Sequence, residues 1–260
     1  MKDKLTIIKV GGAVLNDNKI FKTFLNNFSK IEEKKILVHG GGIIASNYMV
    51  RLGIPPKFIK GRRITDEKTL DVAIMTYAGL INKKIVAQLQ KLNCNSIGLS
   101  GADCNLIKSK KREIKDIDFG LVGDITKVNV NFINNLIKTN IHPVICSLSH
   151  DGNGQLLNTN ADTIASELAI AFSNDYKVEL YYCFEKKGVL QRTSDENSVI
   201  KKINNKTYIE LKKSNIINEG MIPKLDNCFY ALDHNVSKVC IGQPNMLFDH
   251  HSNFTTIQKL

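Results

Sequence analysis

Apolar residues along the chain follow two patterns, short continuous runs and longer stretches in which they recur every three or four residues. Continuous runs predict buried strands, because a strand covered on both faces carries apolar residues at nearly every position. The three- to four-residue spacing predicts helices, which have about 3.6 residues per turn. In the first two thirds of the chain we predict strands at 5–10, 35–38, 95–100 and 142–148, and helices at 17–30, 43–52, 66–92, 129–139 and 160–173.

Two further segments have the alternation and the Gly and Asn residues of hairpins, at 104–128 and at 150–158. After residue 175 the same patterns continue. They predict strands at 177–184 and 237–242, a turn and strand at 186–192, helices at 205–213 and 223–234, and an edge strand at 254–258.

Strands that alternate with helices predict an α/β fold, a three-layer αβα sandwich with a mostly parallel central sheet. We expect two lobes on one continuous sheet, an N-terminal lobe over residues 1–174 and a C-terminal lobe over residues 175–260. The lobes should face each other across a cleft at the C-terminal ends of the strands, where α/β sheets bind ligands.

The chain is basic, with 36 Lys and Arg against 25 Asp and Glu, a net charge of +11. The cations are scattered and aromatic residues are only 7% of the sequence, without Trp, so we expect an anionic small-molecule ligand and no nucleic acid. Six widely spaced cysteines without a C-x-x-C pair predict reduced thiols and no metal site. No apolar run has the length of a membrane span or of a signal peptide, so we expect a cytoplasmic protein without membrane contact.

The sequence "VHGGG" (38–42) places three glycines between a predicted strand and a helix. Gly40, Gly42 and Ala45 fit a dinucleotide fingerprint, but no acidic residue ends the next strand to hold a ribose. The same letters occur in the oxyanion loop of lipases, but the chain has no G-x-S-x-G nucleophile elbow. Both alternatives are therefore disfavoured, and a phosphate-binding turn or an ordinary tight turn remains.

A second glycine turn, Gly11-Gly12, follows the first strand, with Lys9 two residues before it. Two such turns in neighbouring parallel strands would direct backbone N–H groups and helix N-termini at one point. That arrangement suits a polyphosphate or a phosphoryl group in transfer, although no G-x-x-x-x-G-K-[ST] P-loop occurs.

Eight motifs then identify a family. They are "IKVGG" (8–12), "VHGGG" (38–42), "GRRIT" (61–65), "AGLINKKI" (78–85), "GLSGADCNLI" (98–107), "DFGLVGDI" (118–125), "NTNAD" (158–162) and "GMIPK" (220–224). In this order, over nearly the whole chain, they resemble the amino acid kinase family. The "HGGG", "GRRIT" and "NTNAD" motifs favour its branch that acts on acetylglutamate.

The resemblance implies ATP-dependent phosphorylation of the γ-carboxylate of an N-acylated glutamate. By similarity, Lys9 neutralises the transferred phosphoryl group, Lys224 the leaving side of ATP, and Asp162 lies between the two lysines. The backbones of Gly11 and Gly12 on the ATP side, and of Gly41 and Gly42 on the substrate side, would hold the phosphoryl oxygens and the attacking carboxylate. Mg²⁺ is expected on the ATP phosphates and not in a carboxylate cage.

For the acyl-glutamate, the resemblance implies that Arg63 binds the α-carboxylate and that Asn158 contacts the α-carboxylate or the amide. Asn160 either does the same or caps its helix. Two departures leave details open. Glu185 stands where relatives commonly carry Asp near the nucleotide, and "MTYAGL" (75–80) leaves acetyl and larger acyl groups such as succinyl as alternatives.

Relatives inhibited by arginine carry an extra helix before the first strand, and Lys9 comes too early for one. We therefore expect a homodimer that is insensitive to arginine. Two alternatives stay open, another phosphotransferase of the family acting on glutamate, aspartate or carbamate, and a non-catalytic sensor of a nucleotide or amino acid on the same fold.

Overall fold

The computed structural model describes residues 2–59, 61–217, 221–249 and 252–259. Residues 1 and 260, the outer limits of the two predicted lobes, and Gly220 of the "GMIPK" motif lie outside the described residues. The strands are β1 (Lys4–Val10), β2 (Lys34–His39), β3 (Phe58–Ile59), β4 (Arg62–Arg63), β5 (Ser96–Leu99), β6 (Ile107–Lys111), β7 (Gly123–Val128), β8 (His142–Cys146), β9 (Leu148–His150), β10 (Leu156–Asn158), β11 (Lys177–Cys183), β12 (Lys202–Ile203), β13 (Lys238–Gly242) and β14 (Thr255–Ile257).

Helices connect most of these strands. They are α1 (Gly12–Asn16), α2 (Asn18–Ser29), α3 (Gly42–Arg51), α4 (Glu67–Ile74), α5 (Asn82–Lys91), α6 (Val130–Lys138), α7 (Ala161–Phe172), α8 (Asn205–Lys213) and α9 (Ile222–Asp233). A π-helical segment, Met75–Ile81, joins α4 to α5, and short 3₁₀ turns lie at Asp103–Asn105 and Pro244–Leu247.

In the described part of the chain, eight strands form one sheet in the order β12-β14-β13-β11-β1-β2-β8-β5. Neighbouring strands are parallel except β13 and β14, which are antiparallel. The sheet continues across the predicted lobe boundary, because β1 pairs with β11 over its whole length. A smaller sheet, β10-β9-β6-β7, and the hairpin β3-β4 complete the fold.

Core packing shows why the sheet is covered on both faces. Side chains of a strand point alternately to opposite faces. In β1, Leu5 and Ile7 pack into one buried cluster together with residues of α7 and α9, whereas Ile8 and Val10 pack into another with residues of α2 and α5. This confirms the predicted three-layer α/β sandwich with a mostly parallel sheet.

Most predicted elements are confirmed, including the helix at 205–213 and the two hairpins, β6-β7 and β9-β10. The long helix predicted at 66–92 is confirmed as α4, the π-helical segment and α5 in succession. Two predictions were wrong. In the described residues, 186–192 contribute only an isolated bridge, Leu190 to Val199, and no strand.

The second wrong prediction concerns β14, which is not an edge strand. It lies between β13 and β12, and β12 pairs with it at two positions, Lys202 with Thr256 and Ile203 with Ile257. A strand of two residues is too short to produce an apolar pattern, so the sequence did not reveal the outer neighbour.

Candidate active site

A cleft of about 550 Å³ opens at the C-terminal ends of β1 and β2. Both glycine turns line it, because β1 and β2 are parallel neighbours and each is followed at once by a helix. Most of the residues predicted for the site lie in its wall. Those are Lys9, Gly11, Gly12, Gly41, Gly42, Arg63, Asn158, Asn160 and Asp162.

At the base of the cleft, one carboxylate holds two ammonium groups. Asp162, in the first turn of α7, lies with Oδ1 2.8 Å from Lys9 Nζ and with Oδ2 2.7 Å from Lys224 Nζ. Lys9 comes from β1 and Lys224 from the first turn of α9. All three side chains are largely buried, so they interact in a medium that screens charge poorly.

Each oxygen of Asp162 is engaged by one lysine. Lys224 donates a hydrogen bond to Oδ2, and Lys9 forms an ion pair with Oδ1. An ammonium group carries three donors, so Lys9 can meet Asp162 and an oxygen atom of a ligand in the cleft at the same time.

The pKa values follow from this arrangement. Burial acts to raise the pKa of Asp162, but Lys224 and Lys9 outweigh it and hold the pKa well below its usual range. Burial lowers the pKa of Lys9, and Lys224 adds to that effect while Asp162 opposes it. For Lys224 burial also acts downward, but Asp162 outweighs it and the pKa is raised. Asp162 therefore stays ionised at neutral pH, as the counter-ion of both lysines.

Two aromatic residues that the sequence analysis did not select hold Lys224. Its Nζ lies 5.4 Å from the centre of the Tyr182 ring and 5.9 Å from that of Phe184, within the range of cation–π contacts. The Tyr182 hydroxyl also donates to the main-chain oxygen of Asp162 at 3.1 Å. Both residues lie in the apolar run of β11 and its end, which sequence patterns assign to the core only.

The glycine turns place helix N-termini at the cleft. Gly11 and Gly41 occupy the N-cap positions of α1 and α3, and no side chain among the described residues caps either helix. The first N–H groups of such helices lack partners within the helix and bind anions well. Gly41 is also required by packing, because a Cβ there would lie 2.3 Å from Ile81 Cδ1 and 2.9 Å from Tyr77 Cδ1.

Arg63 is buried and its guanidinium is fixed in place. Nη2 donates to the carbonyl oxygen of Gly42 at 2.8 Å and to Ser46 Oγ at 2.7 Å, and the group lies 4.6 Å from the centre of the Phe58 ring. Arg62, its neighbour in sequence, is exposed. The structure therefore anchors Arg63 at the start of α3, in the wall of the cleft.

The two asparagines differ in what they contact. Asn158 lies in the wall of the cleft, and its Nδ2 donates to Thr65 Oγ1 at 2.9 Å. Asn160 Oδ1 accepts from the backbone N–H groups of Asp162 and Thr163, so this residue caps α7. The cap fixes the first turn of α7, and with it the position of Asp162.

Glu185 is not among the described residues that line the cleft. It is exposed just after β11, and its main-chain oxygen accepts a hydrogen bond from Gln243 Nε2 at 2.9 Å. Its predicted role toward ATP stays a prediction.

The described part of the chain contains no helix with the length and apolar character needed to cross a membrane.

Comparison with known proteins agrees with this geometry. A sequence model described as the amino acid kinase family matches residues 4–243. The chain belongs to the amino acid kinase family. This confirms the resemblance seen in the sequence motifs, and it explains the conjunction of a parallel sheet, two glycine turns and buried lysines.

Individual relatives extend the comparison. The chain is 51% identical over 247 residues to an acetylglutamate kinase of Cytophaga hutchinsonii, covering 95% of this chain and 94% of the relative. It is 52% identical over 241 residues to an acetylglutamate kinase of Phocaeicola vulgatus, covering 93% and 94%. Among solved structures, a protein of Streptococcus mutans UA159 superposes with a TM-score of 0.82 at 25% identity, covering 98% of each chain.

Proposed function

We propose that this amino acid kinase family member transfers the γ-phosphoryl group of ATP to the γ-carboxylate of N-acetyl-L-glutamate, or of a close N-acyl analogue such as N-succinyl-L-glutamate, in arginine biosynthesis. The observation that carries the proposal is the buried trio of Lys9, Asp162 and Lys224 beneath two glycine turns. The acetylglutamate kinases to which the chain is about half identical support the choice of acceptor.

The reaction needs no general base, because the attacking γ-carboxylate is already ionised at neutral pH. Its oxygen attacks the γ-phosphorus, the bond from phosphorus to the β–γ bridging oxygen breaks, and an acyl phosphate and ADP result. Catalysis then consists of positioning and of stabilising negative charge on the transferred group. The Lys9 ammonium and the N–H groups of Gly12, Gly41 and Gly42 suit that task, whereas the Gly11 N–H already donates to the Cys183 carbonyl oxygen at 3.1 Å.

Lys224 serves the leaving group in this proposal. Its hydrogen bond to Asp162 and its two aromatic neighbours hold the ammonium at the start of α9. Arg63 and Asn158 bind the α-carboxylate and the acyl-amide end of the acceptor. Both oxygens of Asp162 are engaged by lysines, so Mg²⁺ would be held by the ATP phosphates, where it would neutralise their negative charge.

Further parts of the proposal concern organisation. We place ATP binding in the C-terminal lobe and acyl-glutamate binding and dimerisation in the N-terminal lobe, in a cytoplasmic homodimer. Exposed apolar side chains on α3, just after it, and at the start of the π-helical segment that packs against α3 support a dimer. They are Val50, Leu52 and Met75. Analytical ultracentrifugation at several protein concentrations tests the dimer.

The decisive experiment is an assay of ADP release with N-acetylglutamate, N-succinylglutamate, glutamate, aspartate and carbamate as acceptors. Turnover with an N-acylglutamate is expected, and the ratio of kcat/KM values identifies the acyl group. A preference for free glutamate, aspartate or carbamate would assign the protein to another branch. Binding of ATP without turnover of any acceptor would favour the nucleotide sensor instead.

A further inference from the structure

His39 and Asn82 form a buried polar pair directly behind the second glycine turn. His39 ends β2 and is 0% exposed, and Asn82 begins α5 and is 1% exposed. Neither residue is in the wall of the cleft. We propose that His39 and Asn82 are positioning residues for phosphoryl transfer, which hold the Gly40–Gly41 peptide so that its N–H group faces the reacting atoms. This inference rests on the proposed kinase function.

The partners of the imidazole decide which nitrogen carries the hydrogen. His39 Nδ1 lies 2.8 Å from the carbonyl oxygen of Gly40, which can only accept, so Nδ1 is the protonated nitrogen. Nε2 then has a lone pair, and it accepts a hydrogen bond from Asn82 Nδ2 at 3.1 Å. Each nitrogen of the neutral ring therefore has one partner, and the ring cannot reverse without losing both.

The amide of Asn82 is fixed by the same reasoning. Its Nδ2 donates to His39 Nε2 and, at 2.9 Å, to the carbonyl oxygen of Val144 in β8. Both partners are acceptors, so the reversed amide would place Oδ1 against two lone pairs. In the observed orientation Oδ1 has no hydrogen-bond partner among the described residues, a cost that the two bonds from Nδ2 must offset. The pair therefore selects one histidine tautomer at the expense of a buried oxygen.

The tautomer matters because it fixes one peptide of the turn. The C=O and N–H of a trans peptide point in opposite directions, and the described residues contain no cis peptide. Since the Gly40 oxygen faces His39, the Gly41 N–H faces away from His39, in a turn whose three glycines, Gly40, Gly41 and Gly42, line the cleft. The Gly41 N–H has no acceptor among the described residues. It is thus a free donor held at the site of phosphoryl transfer.

The π-helical segment brings Asn82 to this position. A π turn contains more residues than an α turn, and each residue added to a helix rotates the following side chains by about 100°. The segment ends at Ile81, whose side chain packs over Gly41, and the next residue is Asn82. Ile81 therefore packs directly against the glycine turn, and the next residue, Asn82, supports the same turn through its hydrogen bond to His39.

Two near-isosteric variants test the proposal. In His39→Asn the amide nitrogen takes the place of Nδ1 and can still donate to Gly40, whereas in His39→Gln the amide oxygen takes the place of Nε2 and can still accept from Asn82. Each variant loses one hydrogen bond, so a purely structural role predicts equal losses of stability and of turnover. We expect kcat at least about tenfold lower in His39→Gln than in His39→Asn, with KM for ATP changed by less than about twofold. Equal kcat values in two folded variants would overturn the proposal.

A spectroscopic measurement covers the case in which the variants do not fold. Imidazole ¹⁵N chemical shifts of the wild-type protein should show the neutral tautomer with hydrogen on Nδ1, and Asn82→Ala should weaken or reverse that preference. A wild-type ring protonated on Nε2 would overturn the proposal whatever the kinetics. Absence of turnover in the wild type with every acceptor would instead contradict the proposed function, while the tautomer would still decide the geometry of the turn.

Discussion

The Tyr182 hydroxyl donates to the main-chain oxygen of Asp162 at 3.1 Å, while the ring of the same tyrosine faces the ammonium of Lys224. One side chain of β11 thus supports two members of the buried trio, one through a hydrogen bond and one through its ring. The arrangement ties the first turns of α7 and α9 to the same strand.

Tyr182→Phe should separate the two contacts, because it removes the hydroxyl and keeps the ring. We expect a loss of stability of about 1 kcal/mol, the usual net value of one hydrogen bond, and a thermal midpoint lower by about 2–4 °C. Turnover should fall only a few-fold. Tyr181→Phe is the matched control, because it removes a hydroxyl that donates to Glu179, away from the trio. A loss of turnover in both variants would contradict a local effect on Asp162.

Removal of the central charge should affect both stability and turnover. Asp162→Asn leaves two buried ammonium groups without a counter-ion, so we expect a loss of about 3–5 kcal/mol of unfolding free energy. Lys9→Met leaves the pair of Asp162 and Lys224 intact and should change stability much less. Both variants should reduce kcat by about two to three orders of magnitude, as for loss of a preorganised charge. Urea denaturation and steady-state kinetics check this, and near-native rates in Lys9→Met would refute its role.

Arg63→Lys should impair acceptor binding although it conserves the charge. An ammonium cannot reproduce the donors of Arg63 to Gly42 and Ser46 while also meeting a carboxylate. We expect KM for the acyl-glutamate to rise by about tenfold or more, with KM for ATP nearly unchanged. The control is Arg62→Lys at the exposed neighbouring position, where both constants should stay near wild type. An unchanged KM for the acyl-glutamate in Arg63→Lys would show that a positive charge alone is sufficient at this position.

Gly41→Ala should be disruptive where Gly42→Ala is tolerated. A Cβ at Gly41 would meet Ile81 and the Tyr77 ring well inside contact distance, whereas at Gly42 the nearest atom is Arg63 Nη2 at 3.8 Å. We expect Gly41→Ala to lose about 1–3 kcal/mol through overpacking, and Gly42→Ala less than about 1 kcal/mol. Urea denaturation of both proteins measures the difference. Similar stabilities would mean that the π-helical segment moves away from the turn easily.

Acid should destabilise the protein through His39. Burial lowers the pKa of this imidazole from 6.5 to about 4, so between these pH values the unfolded chain binds a proton that the folded chain excludes. The neutral ring contributes fully to the free energy of unfolding above pH 6.5. This contribution decreases as the pH falls, and at pH 4 about 3 kcal/mol of it has been lost. In His39→Gln the slope of unfolding free energy against pH should therefore be smaller over this range. His142, whose pKa burial also lowers to about 4, retains its share in the variant. An unchanged slope would contradict the assignment.

Local patterns in the sequence determined much of this protein. Continuous apolar runs marked β1, β2 and β11, and helical spacing marked α2 and α8. Lys9 near the end of β1 and the glycines that follow it marked one edge of the sheet as the place for phosphate chemistry. Such patterns succeed because burial and backbone geometry are properties of neighbouring residues in the chain. The family motifs added residues that no periodicity singles out, such as Asp162 and Lys224.

Only the tertiary structure decided how these parts meet. It showed Lys9 and Lys224 on opposite oxygens of Asp162, Tyr182 and Phe184 beside Lys224, and β14 inside the sheet. It also showed the π-helical turn that places Asn82 under His39. The physical reason is that contacts between distant segments depend on how helices and strands pack, and an apolar pattern records that a residue is buried without recording against which partner.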